Sequence, residues 1–245
     1  MVLYYSEGET YTVRVEPGKV FHTTRGYVRL NDLIGAEYGS TVETNIGERF
    51  TVSRATLTDR LMSLRRFTQV IYPKDLGYIL VSSGVGPGSV VAEAGTGTGF
   101  LAATLAYYVR PTGKVYTYEV RKDFYELALK NFEALGLLEY IVARNKDVKE
   151  GFEERELDAV MLDLPDPWLV VDKAYEALAH GGVLVIFLPT APQVERTLSA
   201  LRRVGFKRIE VLELISRRYK TDPGEFRPET IGVQHTGYIV HCQKL

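Results

Sequence analysis

The 245 residues contain a single cysteine, Cys242. A disulfide within the chain is therefore excluded, and so is any metal site built on a cysteine cluster; no metal is expected. Cys242 falls in a segment that reads as a strand, which predicts a packed thiol rather than a reactive one. Long apolar runs are lacking as well. Nothing approaches the ~20 residues needed to cross a bilayer, and the opening Met1-Val-Leu-Tyr-Tyr has no basic and then apolar signal. The expected setting is the cytoplasm, with no membrane partner. Net charge is also small, at −1, so the total argues neither for nor against nucleic acid. The distribution is more telling. Residues 111–163 carry 8 Lys and Arg against 12 Asp and Glu, whereas residues 200–245 carry 9 against 5. A basic C-terminal region on a balanced protein can mark a binding face, and scatter over a solvated surface would explain it equally well.

What is present is an ordinary globular composition, 45% hydrophobic and 25% charged. Residues 1–55 read as a small barrel-like all-β module. Tyr11-Thr-Val-Arg-Val-Glu alternates, and Gly18 to Thr24, Gly26 to Leu30 and Arg49 to Val52 follow between glycine-rich turns, about five strands in all. Residues 56–88 read as a connecting region: a helix from Thr56, with Leu57, Leu61 and Leu64 on one face, an extended stretch from Thr68 to Pro73, and a second helix from Leu76 to Ser82 capped by Asp75. From 89 to 245 the chain alternates. Strands are expected at 89–94, 114–120, 141–147, 157–163 and 183–188, with helices at 100–109, 122–135, 168–179 and 191–204. That rhythm predicts an α/β domain with a parallel sheet covered on both faces. Its ending breaks the rhythm: Arg208 to Ile215 and His235 to Cys242 are strands with only a polar loop between them, which predicts antiparallel neighbours.

The stretch Ser89-Val-Val-Ala-Glu-Ala-Gly-Thr-Gly-Thr-Gly-Phe100 passes from a buried strand through three alternating glycines into an apolar helix. Glycine permits a sharp turn and close approach of a ligand to main chain, and the helix start offers unpaired N–H groups. The spacing is one residue shorter than the G-x-G-x-x-G of dinucleotide sites, and such turns also arise simply to pack a strand on a helix. Glu119 closes the next strand about twenty residues on, where a carboxylate would accept hydrogen bonds from both ribose hydroxyls. Asp147 closes the third strand, where an adenine amino group would lie; a cap for the turn beginning at Val148 is the competing role. Asp163-Leu-Pro-Asp-Pro-Trp168 closes the fourth, an ending that packing alone does not call for.

At these residues the chain resembles the class I S-adenosylmethionine-dependent methyltransferases. Ala94 to Gly99, Glu119 and Asp147 look like their first three motifs, and the terminal strand pair looks like their reversed last strand. The implied fold is Rossmann-like, a seven-stranded sheet with an antiparallel last strand. Further segments narrow the resemblance: Arg65-Arg66, Thr68-Gln-Val-Ile-Tyr-Pro-Lys-Asp75, Asp163 to Trp168, Arg227-Pro-Glu-Thr230 and His235-Thr-Gly-Tyr238, with His22-Thr-Thr in the β module, look like the tRNA (adenine-N1)-methyltransferases acting on the T-loop. That family implies methylation of tRNA adenine at position 58, and in some archaeal relatives 57 as well, by a homotetramer. It implies Asp163 as the catalytic residue and Gln69, Gly95, Thr96, Gly97, Gly99, Phe100, Leu101, Glu119, Asp147, Val148 and Asp163 around S-adenosylmethionine. Phe124 departs from the pattern, standing where some relatives carry a basic residue; Arg121 is a nearby cation.

Extruding a T-loop adenine needs a phosphate-gripping surface. Arg202, Arg203, Lys207, Arg208, Arg217, Arg218, Lys220 and Arg227 are the candidates for it, and Tyr72, Pro165, Trp168 and His235 join Arg217, Arg218 and Arg227 as candidate tRNA contacts, with core packing the competing role for Trp168. Rival readings are a methyltransferase acting on a protein carboxyl or small molecule, a nicotinamide-dependent oxidoreductase, and a non-catalytic RNA-binding subunit. The loop from Asp163 to Trp168 disfavours the first, the short glycine spacing the second, and the presence of Asp163 with all three glycines the third.

Overall fold

The computed structural model describes residues 1–6, 8–66 and 69–245; Phe67, from the end of the expected connecting helix, and Thr68, from the start of the extended stretch, lie outside the described residues. By packing, the chain divides into two units, Met1–Arg65 and Arg66–Leu245.

Among its described residues the first unit holds six strands rather than about five: β1 (Val2–Ser6), β2 (Glu9–Thr12), β3 (Val20–Thr23), β4 (Gly26–Arg29), β5 (Thr41–Glu43) and β6 (Arg49–Ser53). They form an antiparallel sheet of order β2-β1-β6-β5 and a separate hairpin, β3-β4. Alternation does the work expected of it. In β6, Phe50 and Val52 point into a core with Leu3, Val28, Leu33 and Val42, while Arg49 and Ser53 face water. Helix α1 (Leu57–Met62) starts at a capping box in which the Asp59 N–H donates to Thr56 Oγ1 and the Thr56 N–H donates to Asp59 Oδ2.

In the second unit, α2 (Pro73–Ser83) begins three residues earlier than expected, and Asp75 is not its cap. Pro73 takes the first helical position, where a missing N–H costs nothing, and the Asp75 carboxylate is buried in contacts to Lys74 and Thr236 instead. Gly84, at φ +69°, ends the helix in the left-handed conformation. The alternation then runs β7 (Val90–Ala94), α3 (Phe100–Val109), β8 (Lys114–Tyr118), α4 (Lys122–Leu135), β9 (Ile141–Arg144), β10 (Leu157–Leu162), α5 (Val171–Ala177), β11 (Leu178–Leu188), α6 (Ala191–Val204), β12 (Lys207–Glu213) and β13 (Tyr238–Gln243). The helix expected at 168–179 is split: a 3-10 turn over Pro167–Leu169 precedes α5, and β11 starts at Leu178.

The seven strands lie in the order β12-β13-β11-β10-β7-β8-β9. β7 to β11 are mutually parallel, and β13 runs antiparallel to both β11 and β12. The reversed ending is therefore as expected. Strands covered on both faces should be apolar throughout, and Ala92, Ala94, Val160, Leu162, Leu184 and Ile186 are fully buried. Cys242 is buried among them, and burial pushes its thiol pKa up, in keeping with a packed thiol. Chain order reverses between β7 and β10, so the loops leaving β7, β8 and β10 meet over the carboxyl edge, where such sheets bind ligands.

Candidate active site

That edge carries a cavity of about 360 Å³ lined by the glycine loop, the ends of β8 and β10, and the segment Gln69-Val70-Ile71. The glycines serve the chain itself as much as a ligand. Gly95, Gly97 and Gly99 have φ of +96°, +52° and +83°, a region disfavoured for residues with a Cβ. A Cβ on Gly95 would collide with the Asp163 carbonyl oxygen, and one on Gly99 with the Phe132 ring. Gly95 thus lets the loop after β7 lie against the loop after β10, and this sets Asp163 beside the glycine turn. The Asp163 N–H donates to Ala94 O (2.9 Å), locking the same approach.

Glu119 is held from two sides. The Gly97 N–H donates to its Oε2 (2.8 Å) and the Arg121 N–H to its Oε1 (2.9 Å). The Asn145 amide donates to Glu119 O (2.7 Å) and fixes the backbone. Each carboxylate oxygen keeps a lone pair free for a vicinal diol. Arg121 pairs with Asp123 (2.7 Å) and lies over the Phe124 ring at 3.7 Å, so these two residues form one wall rather than a free cation.

Two further carboxyls line the cavity, Glu93 buried and Asp163 half-buried. Burial raises the Asp163 pKa to about 6. Glu93, 1% exposed in the middle of β7, is raised to about 8, chiefly by burial, with hydrogen bonds from the Thr117 hydroxyl and the Ala102 N–H pulling the other way. Thr117 Oγ1 also lies 2.5 Å from Thr96 Oγ1, so a hydroxyl chain runs from Glu93 to the glycine loop. Sequence reasoning missed Glu93. The available signal was a charged residue inside Val-Val-Ala-Glu-Ala, a strand otherwise reading as core. It also missed Thr98, whose buried hydroxyl has no hydrogen-bond partner among the described residues.

These features fit S-adenosylmethionine. Glu119 presents a fixed acceptor pair for ribose, Thr98 an unsatisfied hydroxyl, and Glu93 and Asp163 two carboxyls that a nearby positive charge would favour ionised. Gln69, Gly95, Thr96, Gly97, Phe100, Leu101, Glu119 and Asp163 line this cavity, as does Pro165; Gly99 shapes the turn from behind. Asp147 and Val148 are not brought to it. The Lys149 N–H donates to Asp147 Oδ1 (2.9 Å), making Asp147 the cap of a 3-10 turn, and Val148 packs in the core. Asp166 is drawn away by Lys149 (2.6 Å). Trp168 packs on the core with Arg196 5.4 Å from its ring. Tyr72, Arg217 and Arg218 line a second recess. Arg227 is exposed outside both, and His235 is engaged by Glu213 (2.6 Å) and Pro189 O (3.0 Å).

A family model described as the tRNA methyltransferase complex GCD14 subunit matches residues 57–241, and one described as TrmI-like N-terminal matches residues 3–42. The tRNA (adenine(57)-N(1)/adenine(58)-N(1))-methyltransferase TrmI of Methanocaldococcus jannaschii is 32% identical, over 97% of this chain and 92% of that protein. The crystal structure of the tRNA (m1A58) methyltransferase TrmI from Aquifex aeolicus superposes with a TM-score of 0.84 at 32% identity, covering 100% of this chain and 96% of that one. A Thermotoga maritima structure titled SAM-dependent O-methyltransferase superposes at 0.91 with 37% identity, covering 100% and 92%.

Proposed function

This chain belongs to the family of tRNA methyltransferase complex GCD14 subunits, and on that premise we propose that it transfers a methyl group from S-adenosylmethionine to N1 of adenine in the T-loop of tRNA, at position 58, alone or with 57. The observation that carries the reading is the placing of Asp163. Its carboxyl shares one cavity with the glycine turn and Glu119, and Gly95 has no side chain to hold the two loops apart.

When bound, S-adenosylmethionine supplies an electrophilic methyl carbon on a sulfonium. Glu119 holds the donor's ribose, Thr98 and the first N–H groups of α3 complete its cradle, and Glu93 answers its positive charge. Adenine N1 has a lone pair and needs no base to attack. Ionised Asp163 accepts a hydrogen bond from the exocyclic amine, which turns N1 toward the methyl group. With the methyl carbon passing to N1 and the carbon–sulfur bond pair left on a neutral thioether, the ring would become cationic, and the same carboxylate would stabilise that charge and could take the amine proton afterwards. Positioning and charge complementarity supply most of the rate. Tyr72, Pro165, Trp168, Arg217, Arg218, Arg227 and His235 are the proposed tRNA-side residues, with His235 and Trp168 shaping the surface rather than meeting RNA directly.

We take the working assembly to be a homotetramer in the cytoplasm. Exposed Val81, Phe226 and Ile231 offer apolar surface that subunit contacts would cover, and no described helix is long and apolar enough to cross a membrane. The Thermotoga maritima title motivates a second reading, an oxygen acceptor. Nucleoside analysis separates the two: after incubation with unmodified tRNA and methyl-labelled donor, label should elute as 1-methyladenosine. Label in ribose-methylated nucleosides, or in none, would reject the adenine-N1 assignment.

A further inference from the structure

A second recess, of about 560 Å³, adjoins the cavity described above and is walled by the start of α2 and the long loop between β12 and β13. The two cavities share one run of chain: Gln69-Val70-Ile71 lines the first and Tyr72-Pro73-Lys74 the second. Accounting for the charges on this second wall leaves little free. Lys74 Nζ is spent on Asp75 Oδ1 (2.8 Å), Leu214 O (2.7 Å) and Thr236 Oγ1 (2.6 Å), and Thr236 Oγ1 donates to the buried Asp75 Oδ2 (2.8 Å). This clasp ties both ends of the loop to α2. The loop is also folded on itself: Lys220 N–H donates to Arg227 O, Glu229 N–H to Arg218 O, Lys220 pairs with Glu225, and Tyr219 stacks on Phe226 at 5.0 Å. Arg217 and Arg218 remain. Both are exposed, both line the recess, and neither has an ion-pair partner among the described residues. With Glu229, the other unpaired charge on the lining, the recess carries a balance of one positive charge.

We propose that this recess binds one phosphodiester of the RNA, the linkage flanking the acceptor adenosine, through the Arg217 and Arg218 guanidiniums. The proposal rests on the tRNA reading and gives that reading a register. A base entering the first cavity past Gln69 to Ile71 carries its backbone over Tyr72 into the second. Guanidinium forks match phosphate geometry, and the clasp holds their loop in place before RNA arrives. Lys74 is in this view a positioning residue, not a phosphate ligand.

The test uses full-length tRNA in which one linkage, 5′ or 3′ of the acceptor adenosine, is a neutral methylphosphonate. With the wild-type protein, one of the two substitutions should raise KM about tenfold, as expected for losing a charge-assisted contact. The double variant Arg217→Ala/Arg218→Ala should raise KM for native tRNA by a similar factor, leave kcat at saturating tRNA and the cofactor Kd unchanged, and flatten the salt dependence of KM by about one to two ions. It should be indifferent to the methylphosphonate. An unchanged thermal midpoint shows that the variant is folded. The recess proposal fails if the variant keeps wild-type KM and salt slope, or if its loss multiplies with that of either methylphosphonate. Absence of methyl transfer to tRNA by the wild-type protein rejects the substrate reading, and the recess with it.

Discussion

On the proposed mechanism Asp163 has to satisfy two demands that oppose each other: it must be shielded enough to grip an amine strongly, and ionised enough to accept its hydrogen bond. A pKa raised to about 6 meets both near neutral pH. Asp163→Ala should lower kcat by about a hundredfold or more, the order seen when a preorganised charge-stabilising group is removed, while the cofactor Kd measured by calorimetry changes little. Full turnover in that variant would reject the assignment. In the wild-type protein, kcat/KM should rise with pH through about 6, the acid limb belonging to the free enzyme's Asp163. Glu93 gives a second pH signature, in stability. Its folded pKa, about 8, lies above the ordinary 4.5, so the folded protein keeps a proton that the unfolded chain gives up. That contribution is complete below about pH 4.5 and is lost as pH rises toward 8. Urea midpoints of Glu93→Gln should be flatter than wild type over this range; a parallel decline in both proteins would contradict it. Asp163 stood out in the sequence because packing alone does not call for an Asp-Leu-Pro-Asp-Pro-Trp strand ending, and its catalytic role came from the family resemblance. Glu93 did not, because one carboxylate within an apolar strand gives no sign of what lies above it.

At the scale of elements, the strand-turn-helix from Val90 to Val109 organises the site, and the structure changes what its glycines are for. Gly95 and Gly99 are dictated first by positive φ and by the Asp163 carbonyl and Phe132 ring. Gly95→Ala should therefore fail in two ways at once. It should cost roughly 2–4 kcal/mol of stability through strain and overpacking, and by moving Asp163 it should lower turnover even at temperatures where the protein is folded. A loss of cofactor affinity alone, with stability and kcat intact, would contradict this. The parallel rhythm from 89 onward was readable because buried strands and amphipathic helices alternate with clear turn residues. Boundaries were lost where tertiary contacts outweighed local signals. Asp75 looks like a cap, yet Lys74 and Thr236, the latter far along the chain, claim its carboxylate. Asp147 satisfied two roles equally in sequence, and the folded chain uses it to cap the turn at Val148.

For the whole molecule, the reversed β13 matters as much as the parallel strands. By returning between β11 and β12, it leaves the long connection from 214 to 237 free to fold beside the ligand edge, where the polar, basic C-terminal region becomes a wall rather than a scattered surface. Of the basic residues in the C-terminal region, Arg217 and Arg218 are the two that line the recess, so the charge asymmetry in composition is only partly gathered there. No periodicity in the sequence reports that adjacency, because it depends on a clasp joining Lys74 to Thr236 across the fold. On the proposed function this surface delivers a T-loop adenine to the methyl donor. That delivery is tested most directly by mapping the methylated nucleotide after reaction of the wild-type protein with unmodified full-length tRNA. Methyl is expected on N1 of adenine at position 58, alone or with 57; methylation confined to other positions, or label in protein or small molecules with none in the T-loop, would overturn the proposed function.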